Sequence, residues 1–526
     1  MFIKKVKKRN GKTEKVYQYL HLVESVRTKN GPRQRLVLNL GNLNIHPSQY
    51  KALTRRIEDI LTGQRSFITL DKEIEKYARD MANTIFKKRA REIESPIESE
   101  YQMVNVNSLE IERPRSLGPE YLCHSIWRDL EMDKFLLEKG ISEKVLPVME
   151  ALVAGRLIDP GSERYTRQWA GKRSAIYELI GDPLRGSLNS YYRAGDKLYS
   201  LKEGLEKHLS VSERNLFSLS EKMVFIDLTN TYFEGHSAKN RKAKRGHSKE
   251  GRKDCPLVTL GLIIDELGFA KYSQLFPGNQ AEGETLAGMI NSMKRNLPFS
   301  AKDRTIVIDA GIATALNLKW LKENNYHYIA VNRGKAPLDL DYTQKAQPVT
   351  NLDLLTKKII WKKKNLYEKE IEQEGSYLLR TDRFDLSNAE IWKTHLMLNQ
   401  IESAFKSMKS FLGLRPNFHQ KESRVDTHLF ISVLAYHILH IIEYRLRQKG
   451  DCRSWATIRN ILKTHERSTI CYQTKDETEQ VHQQFVRVSS GLEPEHLEIY
   501  RKLKLSGNPL PRKRMEGKII GKSINQ

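Results

Sequence analysis

Cysteine is scarce in this 526-residue chain. Cys123, Cys255, Cys452 and Cys471 lie far apart, with no C-x-x-C pair. That spacing argues against a structural zinc site and a disulfide framework and points to a reducing compartment. Acid is also short: 64 Asp and Glu face 89 Lys and Arg, a formal charge of +25. Such an excess favours a polyanionic partner, nucleic acid first among them, over a merely basic chain. Long apolar runs are lacking. The most apolar stretch, residues 429–442, is too short to span a bilayer and carries His437 and His440, so it reads as a buried core helix. The basic start MFIKKVKKRNGK leads into no apolar segment, unlike a secretory signal. There is no internal repeat and no low-complexity tract.

The most telling stretch is residues 223–233, MVFIDLTNTYF. Val224, Phe225 and Ile226 are β-branched or aromatic, so the run reads as a buried strand that Asp227 ends. The design recurs in residues 304–311, RTIVIDAG, where Ile306, Val307 and Ile308 lead into Asp309. Two buried strands, each ending in Asp, can bring two carboxylates together at one end of a sheet, an arrangement that holds divalent metal ions. A single Asp of this kind is usually a turn or helix cap; two in equivalent settings weaken that explanation. Asp265 imitates the pattern after VTLGLII, but the hairpin turn Glu266-Leu267-Gly268 follows and claims it. Thr229 either orients Asp227 or serves as a turn hydroxyl.

A third acid is expected on a later helix packed on that sheet. Residues 388–412, NAEIWKTHLMLNQIESAFKSMKSFL, predict one: Leu398, Ile401, Phe405, Met408 and Leu412 recur on a single apolar face. Glu402 sits beside that face, with Lys406 and Lys409 one and two turns further on. By itself this is also the pattern of an ordinary solvated ion pair.

Taken in order, residues 1–105 read as an N-terminal β-hairpin and charged helical region, ending in the polar, acidic stretch EIESPIESE. VYQYLHLVESVR and RQRLVLNLG flank a turn at Lys29-Asn30-Gly31-Pro32, and the basic hairpin can track a phosphate backbone. Residues 106–218 read as a helical, DNA-binding domain. There SERYTRQWAGKR interleaves Arg164, Arg167, Lys172 and Arg173 with Tyr165 and Trp169, either for a DNA groove or as a plain surface helix. Residues 219–445 carry the element order β-β-β-α-β-α-β, an α/β class of ribonuclease-H-like layout, with a short β-rich insertion at about 334–380. A very basic loop, residues 239–253, KNRKAKRGHSKEGRK, follows the first strand and offers Lys244, Arg245 and Arg252 to phosphates. His419 and His428 have no metal-ligand spacing but suit a phosphate contact. Residues 446–526 read as a C-terminal helical region and basic tail.

Four stretches carry a resemblance: VFIDLTNTYFEG, GHSKEGRKDCPLVTLGLIIDELGFAKYSQLFPGNQAEGETL, TIVIDAGIATALN with YIAVNR, and IESAFKSMKSFLGLRPNFHQKESRVDTHLFISVLAYHIL. They resemble the bacterial insertion-sequence transposases of the DDE class, in the branch whose catalytic domain carries a β-rich insertion before the last acid. The resemblance implies that Asp227, Asp309 and Glu402 are the catalytic and metal-holding acids, with Asp227 bridging, and that Lys409 is the family's lysine seven residues after the Glu. His395 and Leu398 stand where the family has Tyr and Arg, and the insertion is shorter than in relatives. Two Mg²⁺ ions per site, with Mn²⁺ as a substitute, would activate water or a 3′-hydroxyl and stabilise the leaving oxygen. Lys406, Lys409, Arg415 and Arg333 would neutralise phosphates, and Trp361 would stack on a displaced base or pack on the insertion. Expected partners are double-stranded DNA, as transposon ends and target, and a second copy in the DNA complex. No membrane is involved, and the setting is the bacterial cytoplasm at the nucleoid. A catalytically inactive DNA-binding relative and a ribonuclease-H-like nuclease without strand transfer are the alternatives.

Overall fold

The computed structural model describes all residues except 10–15, 29–30, 42, 44, 63–70, 93–101, 236, 250, 253, 297–303, 333–377, 477 and 518–526. Strands β1 (Phe2–Arg9), β2 (Val16–Thr28) and β3 (Gly31–Gly41) come first, then helices α1 (Tyr50–Thr62) and α2 (Lys72–Glu92) and strand β4 (Met103–Ser116). Helices follow: α3 (Gly118–Asp129), α4 (Met132–Glu138), α5 (Leu146–Ile158), α6 (Glu163–Lys172), α7 (Ile176–Ile180), α8 (Leu188–Ser200) and α9 (Lys202–Phe217). Next come β5 (Met223–Tyr232), β6 (Leu257–Asp265), β7 (Ala270–Pro277), α10 (Leu286–Asn296), β8 (Thr305–Ile308), α11 (Ala315–Glu323), β9 (His327–Val331) and β10 (Leu379–Thr381). The chain closes with α12 (Asn388–Leu396), α13 (Leu398–Phe411), α14 (Glu422–Arg447), α15 (Trp455–Lys463), β11 (Glu466–Lys475), β12 (Val481–Ser489), α16 (Pro494–Leu503) and β13 (Lys513–Gly517).

Two compact units result, neither continuous in sequence: residues 1–125, 168–184 and 441–526 make the first, residues 126–167 and 185–440 the second. In the first unit, β1-β2-β3 form an antiparallel sheet. Alternation along these strands sends Leu22 and Val37 onto Leu53 and Ile57 of α1 and Ala78 and Ala82 of α2. A second antiparallel sheet, ordered β13-β12-β11-β4, occupies the part of the chain expected to be helical and tail-like. The reason is an inverted polarity. On β11 the buried positions are Arg467, Thr469, Cys471 and Thr474, while Ile470 and Tyr472 are only half-buried. Hydrophobic alternation therefore does not mark the strand. The buried Arg467 is satisfied by Glu178 at 3.1 Å and by the carbonyls of Leu510 and Pro511 at 3.2 and 2.6 Å.

The same unit buries a carboxyl. Glu120, in the first turn of α3, is fully buried and accepts from the Ser116 hydroxyl at 2.9 Å. Burial pushes it up to about 7, against the pull of its hydrogen bonds. The protonated form is therefore the one the fold prefers. Its contribution is fully present below the unfolded pKa near 4.5 and is lost as pH rises through about 7. Glu120→Gln is expected to remove this loss and to raise stability at pH 8 by on the order of 2 kcal/mol. Denaturant unfolding of both proteins at pH 5 and pH 8 checks it; equal pH slopes would refute it.

In the second unit six strands form a mixed sheet, β10-β9-β8-β5-β6-β7. β5, β6 and β7 are antiparallel, β8 lies parallel to β5, and β9 parallel to β8. One face carries Val224, Ile226 and Leu228 of β5 and Ile306 and Ile308 of β8, packed on Met289 and Ile290 of α10 and on Leu318 and Leu321 of α11. Helix α13 packs against β5 and β6, burying Ile401, Ala404, Phe405 and Met408. The stretch expected as one helix over residues 388–412 is two, joined at Met397, and the first opens on a capping box between Ser387 and Glu390. The window of α14 apolar enough to cross a membrane is wholly buried inside the molecule. Within it His437 Nδ1 meets Glu213 at 2.6 Å and His440 Nε2 meets the Leu267 carbonyl at 3.0 Å, which makes both core histidines.

Candidate active site

Strand β5 does not stop at Asp227. Its apolar run ends there, but the strand continues to Tyr232, paired with β6 from Val224↔Asp265 to Tyr232↔Leu257. It is β8 that stops, at Ile308, in register with Ile226. Beyond Asp227 the strand loses its neighbour on that side, and the chain leaving β8 sets Asp309 beside Asp227. Because Val224, Ile226 and Leu228 face the α10 and α11 core, Asp227 points to the other face.

Asp227 is largely enclosed, with 15% of its side chain exposed. Burial pushes its carboxyl up to about 6; the Lys249 ammonium and the Leu228 N–H, donating at 2.7 Å, pull it down, while the carboxylates of Glu282 and Asp309 push it further up. Asp309 is exposed, and its Oδ1 accepts from the Ala310 N–H at 2.5 Å. His395, at the end of α12, feels the Asp309 charge: burial lowers its pKa and Asp309 opposes the shift. Glu402 is exposed on α13, next to the buried Ile401. Among the described residues, no group of three His, Cys, Asp or Glu side chains stands close enough to hold a metal ion together.

Two further residues enter the site. Lys249 Nζ lies 3.5 Å from Asp227 Oδ1 and 3.3 Å from Glu282 Oε1, and it donates to the Leu228 carbonyl at 2.5 Å. Burial depresses this ammonium, but the two carboxylates more than offset that and leave it raised. Glu282 follows β7, nowhere near the acid-tipped strands in sequence. Two glycines bring the segments together. A Cβ on Gly246 would stand 2.2 Å from the Gly278 carbonyl oxygen, so only a bare backbone allows the basic loop to lie against the end of β7. Asn230 fastens the same loop, donating to the His247 carbonyl at 2.7 Å and accepting from the Lys249 N–H at 3.2 Å. A cavity of about 260 Å³ opens beside Asp227, lined by Thr229, Asn230, His247, Lys249, Gln280 and Glu282 among others.

The basic candidates are scattered by comparison. Lys406 is exposed and Lys409 half-buried on α13, and Arg415 is half-buried in the segment after it. Lys244 and Arg245 are exposed on the basic loop, and Lys244 exchanges backbone hydrogen bonds with Leu257. Arg252 is tied to Asp254 at 2.7 and 2.6 Å and stacks 4.5 Å over the Tyr232 ring. Arg333 and Trp361, with nearly all of the expected insertion, lie outside the described residues. Asp265 is the turn acid it was read as, accepting from the Leu267 and Phe269 N–H groups at 3.0 and 2.9 Å. His419 lies 3.4 Å from the buried Glu163 and His428 2.9 Å from the Arg156 guanidinium. Trp169 is buried, Tyr165 donates to Asp159 at 2.8 Å, and Arg167 donates to the Gly186 carbonyl at 2.8 Å.

Sequence reading missed Lys249, Glu282 and Asn230. Lys249 is one of eight Lys and Arg in residues 239–253, and nothing in composition separates it from its neighbours. Gly246 and Gly278 are the only sequence signal for the close approach that brings it to Glu282.

No curated protein matches the chain. The piggyBac transposase synaptic complex with hairpin DNA aligns over 69% of this chain and 82% of that one, at 11% identity and a TM-score of 0.33. The Mos1 transposase paired-end complex with the left transposon end aligns over 54% and 78%, at 11% identity and a TM-score of 0.15. Likenesses this distant carry no weight for the fold. The family models are direct: the transposase DDE domain matches residues 219–438, the whole stretch from before β5 into α14. The N-terminal domain of the IS1634 family transposases matches residues 3–65, which hold the β1-β2-β3 sheet and α1. With its acid-bearing strands inside the first match and its leading sheet inside the second, the chain belongs to the insertion-sequence transposases of the DDE class.

Proposed function

We propose that this transposase binds the terminal inverted repeats of its insertion sequence, cleaves the element's ends and joins the freed 3′-hydroxyl to target DNA. The observation that carries the reading is the register of β8 on β5, which sets Asp309 next to Asp227 on the sheet that α13 packs against with Glu402. On this reading the second unit's sheet is a ribonuclease-H-like core within residues 219–445, extended by an insertion at about 334–380. Residues 1–105 and 106–218 serve DNA recognition. Two copies act together on the DNA, in the bacterial cytoplasm at the nucleoid.

The donor set suits a hard divalent cation. Asp227, Asp309 and Glu402 offer only oxygen, as Mg²⁺ and Mn²⁺ prefer. The Lys249 ammonium, set among three oxygens, shows that a positive charge is already accommodated beside Asp227. Asp227, Asp309 and Glu402 would hold the metal. When bound, it supplies activation of water or the 3′-hydroxyl and charge stabilisation at the leaving oxygen. The protein's own contribution is placement. Asp227 is fixed by β5, while Lys406, Lys409 and Arg415, with Lys244, Arg245 and Arg252 of the basic loop, meet the phosphates. Arg333 and Trp361 are assigned to the DNA on the family resemblance alone.

An assay with the element's terminal inverted repeats and a target duplex tests this. In Mg²⁺ or Mn²⁺ the protein is expected to nick the ends and produce strand-transfer products, and with EDTA to produce neither. Cleavage without joined products would make it a nuclease, and end binding without cleavage an inactive relative.

A further inference from the structure

The cation between the acids is the protein's own. Lys249 Nζ has three oxygens around it, Asp227 Oδ1 at 3.5 Å, Glu282 Oε1 at 3.3 Å and the Leu228 carbonyl at 2.5 Å, and both Lys249 and Glu282 line the cavity. Two carboxylates facing each other in a half-buried site repel, and the ammonium that contacts both offsets that repulsion. The loop that delivers this charge is anchored by its backbone: Asn230 grips the His247 carbonyl and the Lys249 N–H, and Gly246 lies against Gly278. The side chain, 38% exposed and bordering a cavity of about 260 Å³, has room to swing while the loop stays in place.

We propose that Lys249 is an internal counterion that occupies Asp227 in the metal-free protein, steadied there by Glu282, and that metal loading at Asp227 displaces its ammonium toward the adjoining cavity. The inference rests on the reading of Asp227 as a metal-holding acid. It gives Lys249 a positioning role. The ammonium holds the Asp227 carboxylate until the metal arrives, and it competes with the metal for that carboxylate. Once released, it adds a free cation beside the cavity, so metal loading is expected to favour binding of a DNA phosphate there.

The test is Mn²⁺ binding to the full-length, DNA-free protein, read from the electron paramagnetic resonance of free Mn²⁺ at fixed ionic strength. Lys249→Met is expected to bind about tenfold more tightly than wild type, because the competing charge is gone. Lys249→Arg, which keeps a cation there, is expected to stay close to wild type. In the double variant Lys249→Met with Asp227→Asn the gain is expected to vanish. Equal or weaker binding by Lys249→Met overturns the counterion, since a lysine that only braces its loop would destabilise the protein without raising affinity. A gain that survives in the double variant overturns it as well. If wild type binds Mn²⁺ and Asp227→Asn leaves that binding unchanged, the metal-site reading itself fails. Thermal melting of each variant confirms that folded proteins are compared.

Discussion

Replacing Asp227 by alanine is expected to reduce end cleavage by about 10³-fold or more while the protein still binds its inverted repeats. The size follows from the role proposed for Asp227: it is one of three acids that would hold the metal, and alanine offers no oxygen in its place. Asp309 beside it already belongs to the same proposed set and is no replacement. The same substitution is expected not to weaken the fold. β5 keeps its backbone ladder to β6, and burial has already pushed the carboxyl up to about 6, so the fold gains nothing from holding it ionised. Activity lost and melting temperature kept or raised is the signature of a residue retained for chemistry. Both are measured on one preparation, by cleavage of labelled end DNA and by thermal unfolding. Cleavage that survives in Asp227→Ala would remove the residue from the site.

The second large effect falls on stability. Lys271 has a fully buried side chain whose Nζ lies 2.9 Å from Glu221 Oε1 and 3.2 Å from Asp265 Oδ2, both carboxylates themselves buried. Arg214 also reaches Glu221, at 2.7 Å. Lys271→Met keeps the length of the side chain and removes its charge, leaving Asp265 with no opposing cation in this group. Breaking a buried pair on one side costs about 3–5 kcal/mol, because the remaining charge is stranded. Burial already raises Asp265 to about 6 even with Lys271 present. In the variant it takes up a proton at still higher pH, so the loss is largest above neutrality and shrinks as pH falls. Asp265→Asn added to Lys271→Met is expected to recover part of it. Urea unfolding at pH 8 and pH 5 measures all three; a loss under about 1 kcal/mol for Lys271→Met at pH 8 would mean that the lysine is not the group's counterion.

What the sequence disclosed, and what it hid, divides along one physical line. β5 and β8 were legible because strands buried on both faces must be apolar throughout, and an acid ending such a run stands out. The apolar stripe of α13 was legible for the same reason, since Ile401, Phe405 and Met408 are needed against the sheet. The break at Met397 was not, because the periodicity runs through it unchanged. β11 was hidden because its buried side includes Arg467, balanced by Glu178 from α7 and by two carbonyls near residue 510. No local window contains those partners. Lys249 and Glu282 were hidden in the same way: each is ordinary where it stands, and only the fold makes them neighbours.

The pairing of β4 with β11 carries a consequence for how the protein is made. Asn105 and Gln473, which face each other across it, are 368 residues apart in the chain. At about 5–20 residues per second, a ribosome needs roughly 20–70 s to deliver the second strand after the first. Throughout that interval β4 has no partner, and it presents Val106, Leu109 and Ile111, which are 77, 52 and 67% exposed even in the finished protein. An unpaired apolar strand is the kind of segment that recruits another nascent chain or a holding chaperone. Slowing synthesis lengthens the exposure of each molecule; lowering the number of chains made at once reduces its chance of meeting another. For soluble yield, expression level therefore counts as well as elongation rate.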